Sequence, residues 1–400
     1  MTKDVRMRGF QERTHLKDVH ALIDQRISAL GRERLPFHQA IGRVLAEDLV
    51  ATENVPPHAK SAMDGYAVRA EDTPGELQIV GQLMADDRFD ETLAPNQAVR
   101  IMTGAKVPDG ANAVVMVENT ETNDQTVNIK HNASHGEHVL AIGEDLTEGE
   151  PVLHTGRKLR PQDISMLVRL NALEVEVFRR PRVRIIPTGT ELTRIGASDA
   201  QRKVVESNSY MLHCLAQRDG AEITMHPIVR DDMDLLRAAV SSPGADLIVM
   251  TGGSSVGQED LGPVVVREIG ELPVHGVHMK PGSPTGFGFV NDTPIVLAPG
   301  YPVATLIAWD MIVRPIVQKM QAAPTRIPYA TTSGVLAKAH RKPAKRVEFQ
   351  RVTLEDGQVT VLKGGAALLS TATKADGFII VDTGVDELPA GESVTVYLYD

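Results

Sequence analysis

The sequence predicts a multidomain fold in which an α/β domain with a mostly parallel sheet is combined with separate β-rich domains, and three observations carry that prediction. A chain of 400 residues exceeds what one hydrophobic core organises, so several cores are expected. Between Val183 and about Gln321, continuous apolar strands alternate with helices, the pattern of a parallel sheet covered on both faces. On either side of that stretch the texture changes to short apolar runs separated by Pro, Gly, Asn and Asp, which reads as β structure.

Composition narrows the classes of function. Hydrophobic residues at 42% and charged residues at 24% are those of an ordinary folded chain. A net charge of -10 and a pI near 5.7 leave no basic footprint for nucleic acid or an anionic membrane, so an anionic substrate needs local positive charge or a metal. The single cysteine, Cys214, excludes an intramolecular disulfide framework and cysteine-rich zinc sites. The N-terminus has no apolar core of signal-peptide length and no run is apolar enough to span a bilayer, so a cytoplasmic enzyme or scaffold is expected.

In chain order, apolar residues at Leu16, Val19, Leu22, Ile23, Ile27 and Leu30 have helical spacing, with Thr14 as the N-cap. A second short helix is expected from Phe37 to Leu49. Residues 50–147 form a β-rich unit containing "LQIVGQL", "QAVRIMTGA" and "NAVVMVE". Residues 148–182 supply a helix from Pro161, a strand and the basic run "FRRPRVR", read as a solvated hinge with a boundary near Pro181; with residues 1–49 they make a discontinuous linker domain. The α/β domain spans 183–325, with Trp309 on its last helix expected in core or dimer packing. Residues 326–400 read as a small β-barrel or sandwich with an Asp356-Gly357 hairpin turn. There is no internal repeat.

The loops of the α/β domain carry the chemistry. "TGGSSVGQED" follows an apolar strand and precedes a helix, so Gly252, Gly253, Ser254, Ser255 and Gly257 bring backbone N–H groups towards an anion; it lacks the Walker lysine, and a plain strand-to-helix turn is its simpler reading. "PTGTEL" carries Glu191, "LAPGYPV" carries Pro299 and Pro302, and Lys280 stands on a Gly- and Pro-rich turn. Glu191, Asp231 and Asp260, each more often a cap or a solvated turn residue when alone, together suggest Mg2+ bridging a phosphate-bearing substrate. In "SAMDGYAV" Asp64 sits on a turn that is either structural or a site. His131, His135 and His138 lie close in sequence, as a metal site or, more plainly, as a polar turn.

Taken in order, "SAMDGYAV", "RIMTGA", "GED", "PTG-x-EL", "SNS", "GGSSVG-x-x-D", "KPG" and "PG-x-PVA" resemble the MoeA family, the gephyrin E-domain type of molybdopterin molybdenumtransferase, over nearly the whole chain. The resemblance implies a MogA-like α/β domain, an inserted β-rich domain, a helical and extended N-terminal region and a C-terminal β-barrel. It further implies Mg2+-dependent insertion of molybdate into adenylylated molybdopterin with release of AMP. Also implied are a homodimer in which the β-rich domain of one subunit closes the pocket of the other, and possible contacts with an adenylyltransferase and acceptor molybdoenzymes. Asp64, Thr103, Glu191, Asp231 and Lys280 match catalytic positions; Asp145, the glycine- and serine-rich loop, Asp260, Pro299 and Pro302 match substrate-binding ones. Gly65 is expected to leave room for substrate. Ser283 stands where many relatives have a lysine, Gly276 where some do, and Tyr301 and Ala304 change the "PGNPVS" loop. Those losses admit a second class, a non-catalytic gephyrin-like scaffold binding peptide segments, against which the retained carboxylates argue.

Overall fold

The computed structural model describes Phe10 and residues 12–87, 89–254, 260–342 and 345–399. It divides into two compact units, one of Pro36–Gln39 with Glu47–Val175, the other of Met1–Leu35, Ala40–Ala46 and Glu176–Asp400. Helix α1, Leu16–Arg26, belongs to the larger unit and buries Val19 and Ile23. Its N-cap is His15 rather than Thr14, because Thr14 is taken into a parallel bridge with Val277. The helix expected from Phe37 to Leu49 is not formed. Only a 3-10 turn, Phe37–Gln39, is present; Gly42 then takes a left-handed φ of 72°, and Leu45 bridges to Val177 in extended form.

The smaller unit is built on a six-stranded sheet. Its strands are β1 (Gly65–Val68), β2 (Gly75–Leu83), β3 (Gln97–Ile101), β4 (Ala113–Met116), β5 (Thr120–Thr122) and β6 (Thr126–Ile129), in the order β4-β1-β3-β2-β6-β5. Alternate residues feed two cores: Tyr66, Val68 and Leu77 on one face, Ala67, Val99 and Ile101 on the other. A Cβ on Gly65 would lie 2.0 Å from the Val115 carbonyl oxygen. The room left by Gly65 is therefore filled by the backbone of β4, not by substrate, which corrects the sequence expectation. Helix α2, Pro161–Arg169, completes this unit, with Asp163 accepting from the Arg160 N–H at 2.9 Å and from Arg157.

In the larger unit the central sheet comprises β7 (Arg182–Pro187), β8 (Glu222–Met225), β9 (Leu247–Thr251), β10 (Gly270–His275), β11 (Gly286–Val290) and β12 (Thr293–Ala298), ordered β8-β7-β9-β12-β11-β10. The first four in that order are parallel, as the apolar runs predict; β11 and β10 add an antiparallel edge. Around it lie α3 (Asn208–Arg218), α4 (Met233–Ser241), α5 (Gly262–Ile269), α6 (Pro302–Ala308) and α7 (Arg314–Met320). Residues i and i+1 of the strands face opposite cores. Ile185, Val249 and Val296 pack with α1, α3, α6 and α7, whereas Ile186, Ile248 and Ile295 pack with α4 and α5. Both faces are covered at the centre, where β9, β11 and β12 are almost wholly buried, while the edge strands β8 and β10 are largely exposed.

The last helix of the α/β domain is α6 and α7 joined by a π-helical turn, Trp309–Val313. Pro315 has no N–H for the helical ladder, and a widened turn before it accommodates the loss. The basic run is paired rather than solvated: Arg179 grips both oxygens of Asp246 at 2.8 and 2.9 Å, and the Arg182 N–H adds a third bond at 2.8 Å. Burial pushes the Asp246 carboxyl up, but the two arginines prevail and hold it well below the usual carboxylate range.

The C-terminal strands β13 (Thr331–Leu336), β14 (Val347–Glu355), β15 (Gln358–Val361), β16 (Gly377–Val381) and β17 (Ser393–Leu398) close into a barrel, because β14 pairs with both β15 and β16. Asp356 and Gly357, both at positive φ, form the predicted hairpin turn. Closure removes the edges of this sheet.

A buried charge network ties the helices of the larger unit together. Asp219, at the C-terminus of α3, accepts from the Trp309 indole at 2.8 Å and from Arg314 Nε at 3.0 Å. Arg218 bonds Asp219 and, at 2.7 Å, Asp310, which also accepts from the Tyr329 hydroxyl at 2.8 Å. Trp309 is thus a core residue with its N–H satisfied. Asp219→Ala strips a buried carboxylate from Arg218, Arg314 and Trp309, and is expected to cost about 3 kcal/mol. The emission of Trp309, the only tryptophan, reads that loss as a lower urea midpoint.

Candidate active site

The carboxyl ends of β7, β9 and β12 lie side by side, and the loops leaving them define a cavity of about 610 Å3 within the larger unit. Backbone bonds hold the three ends together: the Thr188 N–H donates to Thr251 O at 2.8 Å and the Gly252 N–H to Ala298 O at 3.2 Å. Gly252 has φ 86°, and a Cβ there would meet the Thr188 carbonyl oxygen at 2.3 Å, so only glycine lets the first two loops come this close.

Glu191 lines the cavity from the loop after β7, and Asp260 from the segment before α5. Gly252, Gly253, Ser254, Pro299 and Pro302 line it as well. Ser255 and Gly257 lie outside the described residues. The N-terminus of α3 joins these loops: Ser207 and Asn208 reach the cavity, and Asn208 Nδ2 donates to Gly300 O at 2.7 Å. Glu206 closes the first turn of α3 by accepting from the Ser209 N–H at 2.8 Å. Thr188 and Asn208 were not singled out from sequence; the short polar run "SNS" ahead of an apolar helix was the available signal for the second.

Other predicted residues stand outside this cavity. Asp231 accepts from the Thr190 N–H at 2.8 Å while its own N–H donates to Thr190 Oγ1, so it anchors the loop that carries Glu191. Lys280 is held 3.1 Å from Glu348, a carboxylate of the barrel that is 2% exposed. Burial alone would raise Glu348, but Lys280 and Gln350 hold its carboxyl below the usual range. The lysine therefore does not stand as a lone positive charge.

Asp64, Thr103 and Asp145 belong to the smaller unit. The Thr103 N–H and hydroxyl both donate to Asp64 Oδ1 at 2.7 Å. Asp64 Oδ2 has no hydrogen-bond partner among the described residues, and the side chain is exposed. The Thr103 N–H first, and its hydroxyl second, hold the Asp64 carboxyl below the usual carboxylate range. Asp145 makes a 3.0 Å ion pair with Arg169. Among the described residues no three His, Cys, Asp or Glu side chains come close enough to hold a metal ion, and His131 and His138 instead bond Glu137 and the Val114 carbonyl.

A cavity at the switch between parallel strands, bearing carboxylates and a glycine turn, suits a phosphate-containing ligand with a divalent cation. Mg2+ commonly takes one or two protein carboxylates and completes its shell with phosphate oxygens and water, so Glu191 and Asp260 fit it without a three-residue protein site.

Family models match the chain in three consecutive parts: the MoeA N-terminal region (domain I and II) over residues 14–170, the probable molybdopterin binding domain over 184–319, and the MoeA C-terminal region (domain IV) over 333–399. A molybdopterin molybdenumtransferase of Haemophilus influenzae is 31% identical over 375 residues, covering 91% of this chain and 93% of that protein. Molybdopterin molybdenumtransferase 2 of Mycobacterium tuberculosis is 35% identical over 385 residues, covering 91% and 94%. The crystal structure of the molybdopterin biosynthesis MoeA protein from Pyrococcus horikoshii superposes with a TM-score of 0.83 at 28% identity, covering 97% of this chain and all of that one (100%).

The Asp64–Thr103 pair carries its own test. Because the folded carboxyl is depressed, its contribution to stability is complete above the unfolded value, about 3.9, and is lost as pH falls through the folded value. Thr103→Val keeps the N–H but removes the hydroxyl, and should move the Asp64 titration upward when followed by carboxyl NMR. An unmoved titration would show that the N–H alone sets it.

Proposed function

Since the chain belongs to the MoeA family, whose place is in molybdenum cofactor biosynthesis, we propose that it is a molybdopterin molybdenumtransferase: it inserts molybdate into the dithiolene of adenylylated molybdopterin with Mg2+, cleaves the phosphoanhydride and releases AMP. The observation that carries this reading is the cavity at the ends of β7, β9 and β12, where Glu191 and Asp260 share one space with the Gly252–Gly253 turn and the N-terminus of α3.

The roles follow from the chemistry of each group. With the Gly252 N–H given to Ala298 O and the Ser209 N–H to Glu206, the Gly253 N–H and the positive end of the α3 dipole are what would meet an anion. Glu191 and Asp260 would hold Mg2+, which when bound supplies Lewis-acid charge against the phosphoanhydride oxygens. Asp231 keeps Glu191 in place by fixing Thr190 at both its N–H and its hydroxyl. Lys280, with its position restrained by Glu348, serves as a cation for the anionic substrates. Thr103 fixes one oxygen of the ionised Asp64, and the second oxygen is available to accept a hydrogen bond. A homodimer is part of the same proposal.

The lining carries Glu191, Glu206 and Asp260 and, among the described residues, no Arg or Lys, a set with a use towards a metal-bound phosphate that a scaffold binding only peptides does not call for. The test is AMP release from adenylylated molybdopterin by the purified protein with Mg2+ and molybdate. Wild type should release AMP in a molybdate-dependent way, and Asp64→Asn and Lys280→Ala should each lower the rate by about tenfold or more. A folded wild type that releases none would overturn the proposal.

A further inference from the structure

Gly276 and Ser283 are covered by Phe10 and Arg13 respectively. A Cβ on Gly276 would lie 2.6 Å from the Phe10 ring, so a side chain at 276 and the observed place of Phe10 exclude each other. Three residues on, Arg13 Nε donates to Ser283 Oγ at 2.9 Å, with the guanidinium 5.3 Å from the centre of the Phe10 ring. Pro284, next to Ser283, lines the cavity of the proposed active site.

Backbone pairing puts Arg13 there. The Thr14 N–H donates to Gly276 O at 3.0 Å and the His278 N–H to Thr14 O at 2.9 Å, while the Val347 N–H donates to His278 O at 3.1 Å. Thr14 is bridged in parallel to Val277, and Met279–Lys280 pairs in parallel with Val347–Glu348. In that register His15 falls beside His278 and His278 beside Arg346, and the two imidazoles stack with centroids 4.6 Å apart. Like groups set opposite one another in a ladder are unfavourable. Among the described residues no carboxylate pairs with Arg13 or Arg346; the acid of the row, Glu348, is bonded to Lys280 and Gln350. Burial and then the neighbouring His15, Arg13 and Arg346 depress the basicity of His278, and burial and then Arg346 depress that of Arg13, as expected where positive charge lacks a counter-ion.

We infer that Arg13 is an oxyanion-binding residue of the proposed reaction, bringing to the loop at Ser283, from outside that loop, the positive charge that the loop does not carry there. The inference rests on the transferase reading, and its ligand is a tetrahedral oxyanion, either molybdate itself or a phosphate group of the pterin substrate. The guanidinium suits either, since its planar set of donors matches paired oxygens and it stays charged even where partly buried.

Isothermal titration of the full-length protein with molybdate and, separately, with inorganic phosphate tests this, together with the KM for molybdate in AMP release. Arg13→Gln should weaken oxyanion binding and raise KM by about tenfold, with kcat changed by less than about twofold. Ser283→Lys introduced into the Arg13→Gln protein should restore most of the loss, which a merely structural Arg13 would not permit. A loss confined to phosphate would assign the substrate phosphate as the ligand, and one confined to molybdate would assign the metal oxyanion. Unchanged binding in Arg13→Gln, or a loss that Ser283→Lys leaves unrepaired at an unaltered unfolding midpoint, would overturn the inference. A wild type without AMP release but with Arg13-dependent binding would overturn the transferase and keep the site.

Discussion

The carboxylate of Asp219 is the contact on which the larger unit depends. It sits at the C-terminus of α3, 8% exposed as a residue, and takes bonds from the Trp309 indole, Arg314 and Arg218. Through Arg218 and Asp310 the same network reaches Tyr329, at the entry to the barrel. A buried carboxylate with that many donors tolerates little displacement, because any lost partner leaves a charge without compensation. The C-terminal end of α3 is thereby fixed against the π turn that follows α6. At their other ends the two helices are joined by the bond from Asn208 to the Gly300 carbonyl. Fixed at both ends, α3 and α6 hold their first turns at the cavity.

Charge is distributed in the same spirit. A chain with a net charge of -10 offers an anion only local devices, and those of the larger unit are backbone N–H groups at strand ends and a short row of cations. The acids beside these groups in the larger unit are engaged: Glu348 with Lys280 and Asp231 with Thr190. Glu191, Glu206 and Asp260 line the cavity itself; Glu206 is bonded to Ser209, and a divalent cation is the natural complement of acids lining one cavity.

Much of this was legible from residue patterns. The apolar runs of β7, β9 and β12 and the glycine turn after β9 mark a parallel sheet and the edge at which such sheets take ligands, since buried parallel strands have no polar face. The hairpin at Asp356-Gly357 was equally plain. Where the reading went wrong, a longer-range contact overrode a local preference. Thr14 is a good cap in isolation but pairs with Val277, 263 positions further along the chain by their numbers. The stretch after Phe37 has helical composition but is drawn into extended pairing with Val177. Gly65 sits beside the candidate site residue Asp64 but answers to the backbone of β4.

Domain types, family motifs and the side chains chemically able to bind an anion or a cation are readable from the residues alone, because they follow from composition, short-range spacing and backbone freedom. So is the lack of lysine at positions 276 and 283. Only the tertiary structure decided that Phe10 and Arg13 cover those two positions, that Lys280 shares its charge with Glu348, and that Asp231 supports a loop instead of lining the cavity. The reason is that strand pairing sets neighbours by register, and the register that places Arg13 beside Ser283 joins residues 270 apart in the chain.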